Sequence, residues 1–200
     1  MSVLTTGAAP GIARRSAKWL RGGLLLAALG LLLVPPSPAQ TTSREYQIKA
    51  VFLFNFAQFV EWPPDAFPDA QAPLIIGVLG EDPFGSVLDD TVRGEKIGSH
   101  SLLVQRYKRP EDIAACHILF LSQSESSRLE AIVALLRGRS LLTVSDTAGA
   151  ARRGVMVGFA TENKRIRLQI NLEAARAADL VLSSKLLRPA DIVAGQPEAP

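Results

Sequence analysis

Cys116 and His117 are the adjacent residues best suited to chemistry in this 200-residue chain, because a thiol beside an imidazole can act as a nucleophile and its base. They stand at the start of an apolar run, 117–121, that predicts a buried strand. Adjacent side chains of a strand point to opposite faces, so this pair would not form a hydrogen-bonded dyad. We therefore predict that Cys116 is a reduced, buried thiol without a catalytic role.

Sequence patterns of common catalytic and metal sites are missing. The chain has no GxSxG, SxxK, HExxH, CxxCH or calcium-loop pattern. Its two histidines, His100 and His117, and its single cysteine leave few ligands for a metal and exclude an internal disulfide. The sequence predicts no catalytic residues, no metal site and no cofactor, and a protein that is not an enzyme. A hydrolase with an unrecognised site is a rival that turnover on generic substrates would support.

A small-molecule pocket is the alternative kind of site, and its candidate residues are Trp62, Phe84 and Asn55. Trp62 either closes the end of an aromatic helix or forms one wall of the pocket. Phe84 lies in the turn 80–86, which either offers backbone amides to an anion or is a plain turn plugged by the phenyl ring. Asn55 falls among apolar residues of the helix, so we expect it to hydrogen-bond to loop backbone, with 80–85 as the expected partner.

The helix that carries these residues is predicted to run from Ser43, its capping residue, to about Glu61, before Trp62 and two prolines. Glu45 and Lys49 form an i,i+4 pair near its start. Its predicted core face is broad and apolar and comprises Ile48, Val51, Phe52, Phe59 and Trp62. A narrow polar stripe comprises Gln47, Gln58 and Glu61.

Phe54 falls within this polar stripe, and we predict that Phe54 and the neighbouring Phe56 are partly exposed and bind a partner protein. A helix that is apolar around most of its circumference is normally covered on two sides. The second cover is either the closing helices at 173–187, another copy of the chain, or a membrane sensor. We expect Phe54→Ser to weaken association with little change in the melting temperature.

The remaining pattern predicts an α/β fold: a single domain over 43–193 with a mostly parallel sheet flanked by helices and an antiparallel hairpin at one edge. Apolar runs at 74–80, 117–121 and 141–145 predict buried strands, and they alternate with helical segments. The alternating residues of 165–171 predict the exposed arm of the hairpin. Residues 194–200 are predicted to be a disordered tail.

The first 39 residues have the layout of a secretory signal peptide: a cationic stretch over 14–21, an apolar run over 24–34, and a small-residue cleavage site before Gln40. All the excess positive charge lies there. The rest of the chain has 18 basic and 19 acidic residues, which gives no reason to expect nucleic acid as a partner. We therefore expect a periplasmic protein, with no membrane insertion after cleavage.

Four segments together resemble the YfiR family of periplasmic proteins. They are EYQIKAVFLFNFAQFVEWP at 45–63, GVLGEDPFG at 77–85, CHILFLS at 116–122, and LSSKLL at 182–187 with Ile192 and Val193. They occur in the family's order and cover nearly all of 43–193. The first and last are the more specific.

The resemblance implies a periplasmic signalling regulator that binds and represses an inner-membrane sensor, a diguanylate cyclase or a kinase, and so lowers cyclic-di-GMP and biofilm formation. A binding module that passes a small molecule to a sensor is the alternative. Cys116 matches a family cysteine, but the family's usual partner cysteine on the first strand is absent where Gly77 and its neighbours stand. The resemblance therefore does not imply redox control by an internal disulfide here.

Overall fold

The computed structural model of the protein describes residues 38–163 and 165–195, with side chains described from Arg44 onward. The compact unit treated below begins at Thr41. The predicted signal peptide lies outside the described residues except at its last two positions, and the predicted tail lies outside them from residue 196 onward.

Helices and strands alternate along the chain, as the apolar runs predict. The helices are α1 (Pro38–Phe59), α2 (Ser86–Val92), α3 (Leu129–Leu135), α4 (Leu172–Arg176) and α5 (Ser184–Leu187). The strands are β1 (Val60–Glu61), β2 (Leu74–Leu79), β3 (Lys96–Ile97), β4 (His100–Tyr107), β5 (Ile118–Leu121), β6 (Leu142–Ser145), β7 (Val157–Glu162), β8 (Arg165–Ile170), β9 (Val181–Leu182) and β10 (Ala190–Ile192).

One eight-stranded sheet organises the fold, in the order β10-β8-β7-β6-β5-β2-β4-β3. Its five central strands, in the order β4-β2-β5-β6-β7, pair in parallel. The strands β7 and β8 form the antiparallel hairpin. The predicted α/β class is therefore confirmed, and the short strand β10 adds to the sheet beyond the hairpin. β2 pairs with both β4 and β5, so the order in which the chain adds strands to the sheet reverses there.

Two apolar layers cover the two faces of this sheet. Ile76 and Val78 of β2 belong to the layer that contains α1, whereas Ile75 and Leu79 belong to the layer that contains α3. This alternation follows from the two-residue period of a strand. It explains why every residue of β2 is buried and why the strand is an unbroken apolar run.

The orientation of α1 differs from the prediction. Its buried face comprises Lys49, Ala50, Leu53, Phe56 and Ala57, followed by Val60 of β1. Ile48 and Val51, which were predicted to be core, are 44% and 50% exposed. The two alanines have short side chains that let the helix backbone approach the sheet closely, and the charge of Lys49 is compensated inside the protein. Hydrophobic periodicity registers neither effect, so it predicted the wrong side of α1 as the core face.

The ends of α1 also differ from the prediction. The helix begins at Pro38, upstream of the predicted cap Ser43, and it ends at Phe59. Val60 and Glu61 leave the helix and pair antiparallel with Leu182 and Val181 of β9. This short ladder joins the end of α1 to the closing segment of the chain.

Candidate partner-binding face

The outward side of α1 forms an apolar face in the part of the chain that the structure describes. We define the outer helix face as Ile48, Val51, Phe54, Asn55 and Phe59. Ile48 and Val51 are exposed, and the other three are half-buried. The predicted polar residues Gln47 and Gln58 are exposed on the same side of the helix. Ile48 and Val51 therefore form an exposed apolar strip that these two amides border.

Phe54 and Phe56, the two residues predicted to bind a partner, are separated by the structure. Phe54 is half-buried at the border of the outer helix face. Phe56 is fully buried, so the prediction that it is partly exposed is wrong. Its ring stacks on Phe159 of β7 with the centroids 6.0 Å apart, and Phe52 completes this aromatic group at 5.7 Å from Phe159. Phe56 is therefore a core residue that holds α1 on the sheet.

Asn55 does not make the hydrogen bond that we predicted. The amide is half-buried, and within residues 38–163 and 165–195 its side chain forms no hydrogen bond to the 80–85 loop. The physical reason is again the phase of α1, which places Asn55 on the outward side rather than among core residues. An amide in that position can reach water or a partner.

Trp62 follows α1 and seals the loop 63–73. Its indole Nε1 donates a hydrogen bond to the carbonyl oxygen of His117 at 3.3 Å, and its ring meets the imidazole edge-on. Phe67 of the loop lies between the two histidines, with its ring centroid 4.0 Å from that of His100 and 4.3 Å from that of His117. Trp62 thus contacts the residue that precedes β5, and its two predicted roles, closing the helix end and forming a pocket wall, both stay predictions.

His117 is held as the neutral imidazole. Its Nδ1 accepts a hydrogen bond from the Ile75 backbone N–H at 3.0 Å, which leaves Nε2 to donate to the carbonyl oxygen of Ala66 at 3.2 Å. Burial lowers the pKa of His117, and the nearby His100 lowers it further. His117 therefore joins the loop 63–73 to β2 as a fixed, uncharged group.

Phe84 is a buried residue between β5 and α1. Its ring packs edge-on against Phe120 of β5 at 4.8 Å and against Tyr46 of α1 at 5.3 Å. Phe84 thus contacts α1 at Tyr46, whereas Trp62 lies beyond the end of the helix, and about 20 Å of helix from Tyr46 to Phe59 separates them. The structure does not bring the three proposed ligand residues together, and their binding role stays a prediction.

A buried charged cluster in the middle of α1 was missed by the sequence analysis. Lys49 Nζ lies 2.6 Å from Asp146 Oδ2 and 2.7 Å from Glu45 Oε1, and Tyr46 donates its hydroxyl to Asp146 at 2.8 Å. Burial, followed by the hydrogen bond to Asp146, raises the pKa of Tyr46. The predicted Glu45–Lys49 pair is present, but nothing in the local sequence signals that Lys49 is buried against a carboxylate after β6.

Cys116 is a free, buried thiol, as predicted. It packs in the α3-side layer with Ile75 and Tyr107, whereas His117 faces Phe67 and Trp62 on the other side. The two side chains therefore diverge, although both precede β5 rather than lying within it. Burial raises the pKa of Cys116 to about 12, so the nucleophilic thiolate is scarce at neutral pH.

Two properties of the described residues bear on the class of protein. Residues 38–163 and 165–195 contain no group of three or more His, Cys, Asp or Glu side chains placed to hold a metal ion. The helices of the same residues also lack the length and apolar character needed to cross a bilayer.

These features define a class: an α/β sheet protein with exposed aliphatic residues on the outward side of its first helix. The chain belongs to the YfiR/HmsC-like family, whose profile matches residues 46–191. No curated protein matches the chain. Family membership supports a periplasmic regulator of cyclic-di-GMP signalling in general, and the match spans both α1 and the closing segment with β9 and β10.

Proposed function

We propose that this protein binds an inner-membrane sensor, a diguanylate cyclase, through the outer helix face and represses it. The observation that carries the proposal is the exposure of Ile48 and Val51, one turn apart on a helix whose opposite side is fully packed. Membership of the YfiR/HmsC-like family supports the kind of partner.

A third exposed aliphatic residue lies past the end of α1. Val181 is 59% exposed and is paired with Glu61 across the β1–β9 ladder. The half-buried Phe54 and Phe59 border the strip with rings that already pack on the core. Side chains that are fixed before binding lose little entropy when a partner covers them, which favours affinity.

Repression requires only that the bound regulator hold the sensor in its inactive conformation. Central aliphatic and aromatic anchors carry most of the binding free energy of an interface, about 2 kcal/mol for a single large residue. The exposed amides Gln47 and Gln58 would supply hydrogen bonds at its rim.

The test is site-specific photo-crosslinking in cells that contain the sensor. A photoreactive amino acid at Val51 should crosslink to a membrane cyclase, whereas the same group at Leu135, equally exposed on α3, should not. Val51→Asp should weaken binding about tenfold or more and raise cyclic-di-GMP, with Leu135→Asp as the matched control. Crosslinking at Val51 only to a second copy of the chain, or full repression by Val51→Asp, would refute the proposal.

A further inference from the structure

The second half of β4 forms an open edge of the sheet. The strand β3 pairs with β4 only at His100 and Ser101, and the Glu95 carbonyl then accepts a hydrogen bond from the Leu102 N–H at 3.2 Å. In the part of the chain that the structure describes, no strand pairs with residues 103–107 on this side. We define these residues as the open edge. Unpaired backbone groups of an edge strand are a template for the addition of another strand.

The alternation of the strand determines which backbone groups point out of the sheet. The Leu102 N–H points toward β3, whereas the Tyr107 carbonyl accepts a hydrogen bond from the Gly80 N–H at 3.1 Å on the β2 side. Successive residues of a strand alternate in this respect, so Val104 and Arg106 direct their N–H and C=O groups outward. No loop of the described residues hydrogen-bonds to the backbone of either one. These groups are therefore available to an extended chain.

The side chain of Arg106 does not guard the open edge. Many edge strands carry a charged side chain that opposes the pairing of a further strand. Arg106 Nε lies 2.8 Å from Asp82 Oδ2, and its Nη2 lies 2.5 Å from Asp89 Oδ2 of α2. These ion pairs hold the guanidinium against α2 and its preceding loop, so it leaves the backbone of β4 accessible.

One face of the open edge carries an exposed leucine. Leu103 is 47% exposed and is in register with Ile75 of β2, so it lies on the α3 side of the sheet. Lys96 of β3 is in register with Ser101, and the two-residue period of a strand places it on the same side. An added strand would therefore meet an apolar side chain and a cation on this face.

Two lysines border the open edge. Lys96 lies on β3, and Lys108 directly follows β4. Both are exposed, and neither forms an ion pair with another described residue. The acidic Glu95 stands beside Lys96, so the balance of these three charges is positive. An acidic segment is complementary to this edge, whereas a second copy of the chain would bring the same lysines and its own β3 against it.

We propose that the open edge binds an extended, acidic segment of a partner protein, which adds to the sheet as a further strand. Backbone hydrogen bonds to Val104 and Arg106 hold the segment, an apolar side chain packs on Leu103, and acidic residues pair with Lys96 and Lys108. No residue of α1 takes part, so this interaction is independent of the function proposed for the outer helix face.

Hydrogen exchange tests the open edge in the free protein. The Val104 and Arg106 amides should exchange at least about tenfold faster than those of Leu103 and Gln105, whose N–H groups point to β2. Slow exchange of Val104 and Arg106 at every protein concentration would overturn the proposal, because their N–H groups would already be paired. Slow exchange that is lost on dilution would overturn it in favour of a second copy.

The probe for binding is the acetylated and amidated peptide DETVTVED. Titration followed by amide NMR should show saturable binding with a Kd on the order of 1 mM or tighter, and bound peptide should slow the exchange of the Val104 and Arg106 amides. The peptide KKTVTVKK should bind at least about tenfold more weakly. DETVTVED that is N-methylated at its four central residues keeps its charges but loses the central N–H donors, so it should not bind.

Two variants make the result decisive. Lys96→Glu combined with Lys108→Glu should weaken binding of DETVTVED about tenfold, whereas Arg165→Glu combined with Arg167→Glu, the same charge change on β8, should not. Val104→Pro removes an outward N–H at an edge position and should abolish binding. If Val104→Pro fails to fold, the lysine variant and the N-methylated peptide decide. Wild-type affinity in the lysine variant, binding of the N-methylated peptide, or shifts that map to α1 would overturn the proposal.

Discussion

Lys49 and Asp146 form an ion pair with both side chains 2% exposed, and their charged atoms lie 2.6 Å apart. The first residue is on α1 and the second follows β6, 97 positions later in the chain. Burial of two charges is favourable only when they are paired closely and bonded to further groups. The pair joins α1 to the end of β6 in the helix orientation in which Lys49 faces the sheet and Ile48 and Val51 face outward.

The buried pair gives the first prediction. Asp146→Leu leaves the Lys49 ammonium buried without its main partner, so the free energy of unfolding should fall by about 3–5 kcal/mol. Lys49→Met combined with Asp146→Leu should recover most of this loss, because the double variant has no buried ammonium that lacks its partner. Urea denaturation measures both.

The matched control is Asp112→Leu. It breaks the exposed Arg109–Asp112 pair, which solvent screens, so the free energy of unfolding should change little. If Asp146→Leu is no more destabilising than this control, Lys49 is not held by Asp146 in solution.

The second prediction separates the core from the candidate interface on one helix. Phe56→Ala removes a fully buried ring from the aromatic group with Phe52 and Phe159, and should cost about 3–5 kcal/mol of folding free energy. Val51→Ser, on the outward side, should change stability by about 0.5 kcal/mol or less. Thermal and chemical unfolding of the two variants checks this, and similar losses in both would mean that the helix is rotated from the orientation described.

The third prediction concerns Gly77, which lies directly against Cys116. A Cβ added at Gly77 would stand 2.7 Å from Cys116 Sγ, 2.8 Å from Tyr107 Cε2 and 2.9 Å from Leu119 Cδ1. Gly77→Ser should therefore destabilise the protein by about 1–3 kcal/mol through overpacking. Gly77→Cys would place a second sulfur beside Cys116 Sγ, the closest of these three atoms. We therefore expect a disulfide between the two cysteines under oxidising conditions.

Mass spectrometry and thiol titration would detect this crosslink. Oxidised Gly77→Cys should be more stable than its reduced form by about 3 kcal/mol, because the bond closes a long loop in the unfolded chain. Gly158→Cys, on β7, provides the control, since its added Cβ meets Ala151 and Gln169 and no thiol. If folded Gly77→Cys keeps two free thiols after treatment with an oxidant, positions 77 and 116 are not in contact.

The fourth prediction is a loss of stability in acid that depends on His117. Burial depresses the pKa of His117 in the folded protein below the unfolded value of about 6.5. The neutral form is therefore the one that folding favours. The contribution of neutral His117 to the free energy of unfolding is fully present above about pH 6.5. It is lost as the pH falls through the lower pKa of the folded protein. Protonation also removes the acceptor of the Ile75 N–H.

His117→Asn isolates this effect, because an asparagine Oδ1 can accept the same hydrogen bond without titrating. The free energy of unfolding of the natural protein should fall more steeply between about pH 6.5 and pH 5 than that of the variant. Carboxylates titrate in both proteins and cancel in the comparison. Parallel curves would show that His117 does not respond to acid.

The sequence by itself determined the parts of the fold whose signals are local. Gly, Pro and polar residues bracket the apolar runs that form β2, β5 and β6. The hairpin follows from the two-residue alternation of 165–170. The quoted segments were also enough to indicate the family.

Tertiary structure decided which side of α1 faces outward. Hydrophobic periodicity treats Lys49 as a surface residue and Ile48 as core, because it cannot register a carboxylate that reaches the helix only after the sheet has formed. The same holds for the Phe67 ring, which lies between two histidines. Each depends on groups far apart in the chain, whose pairing free energy appears only when the packed fold removes water from between them.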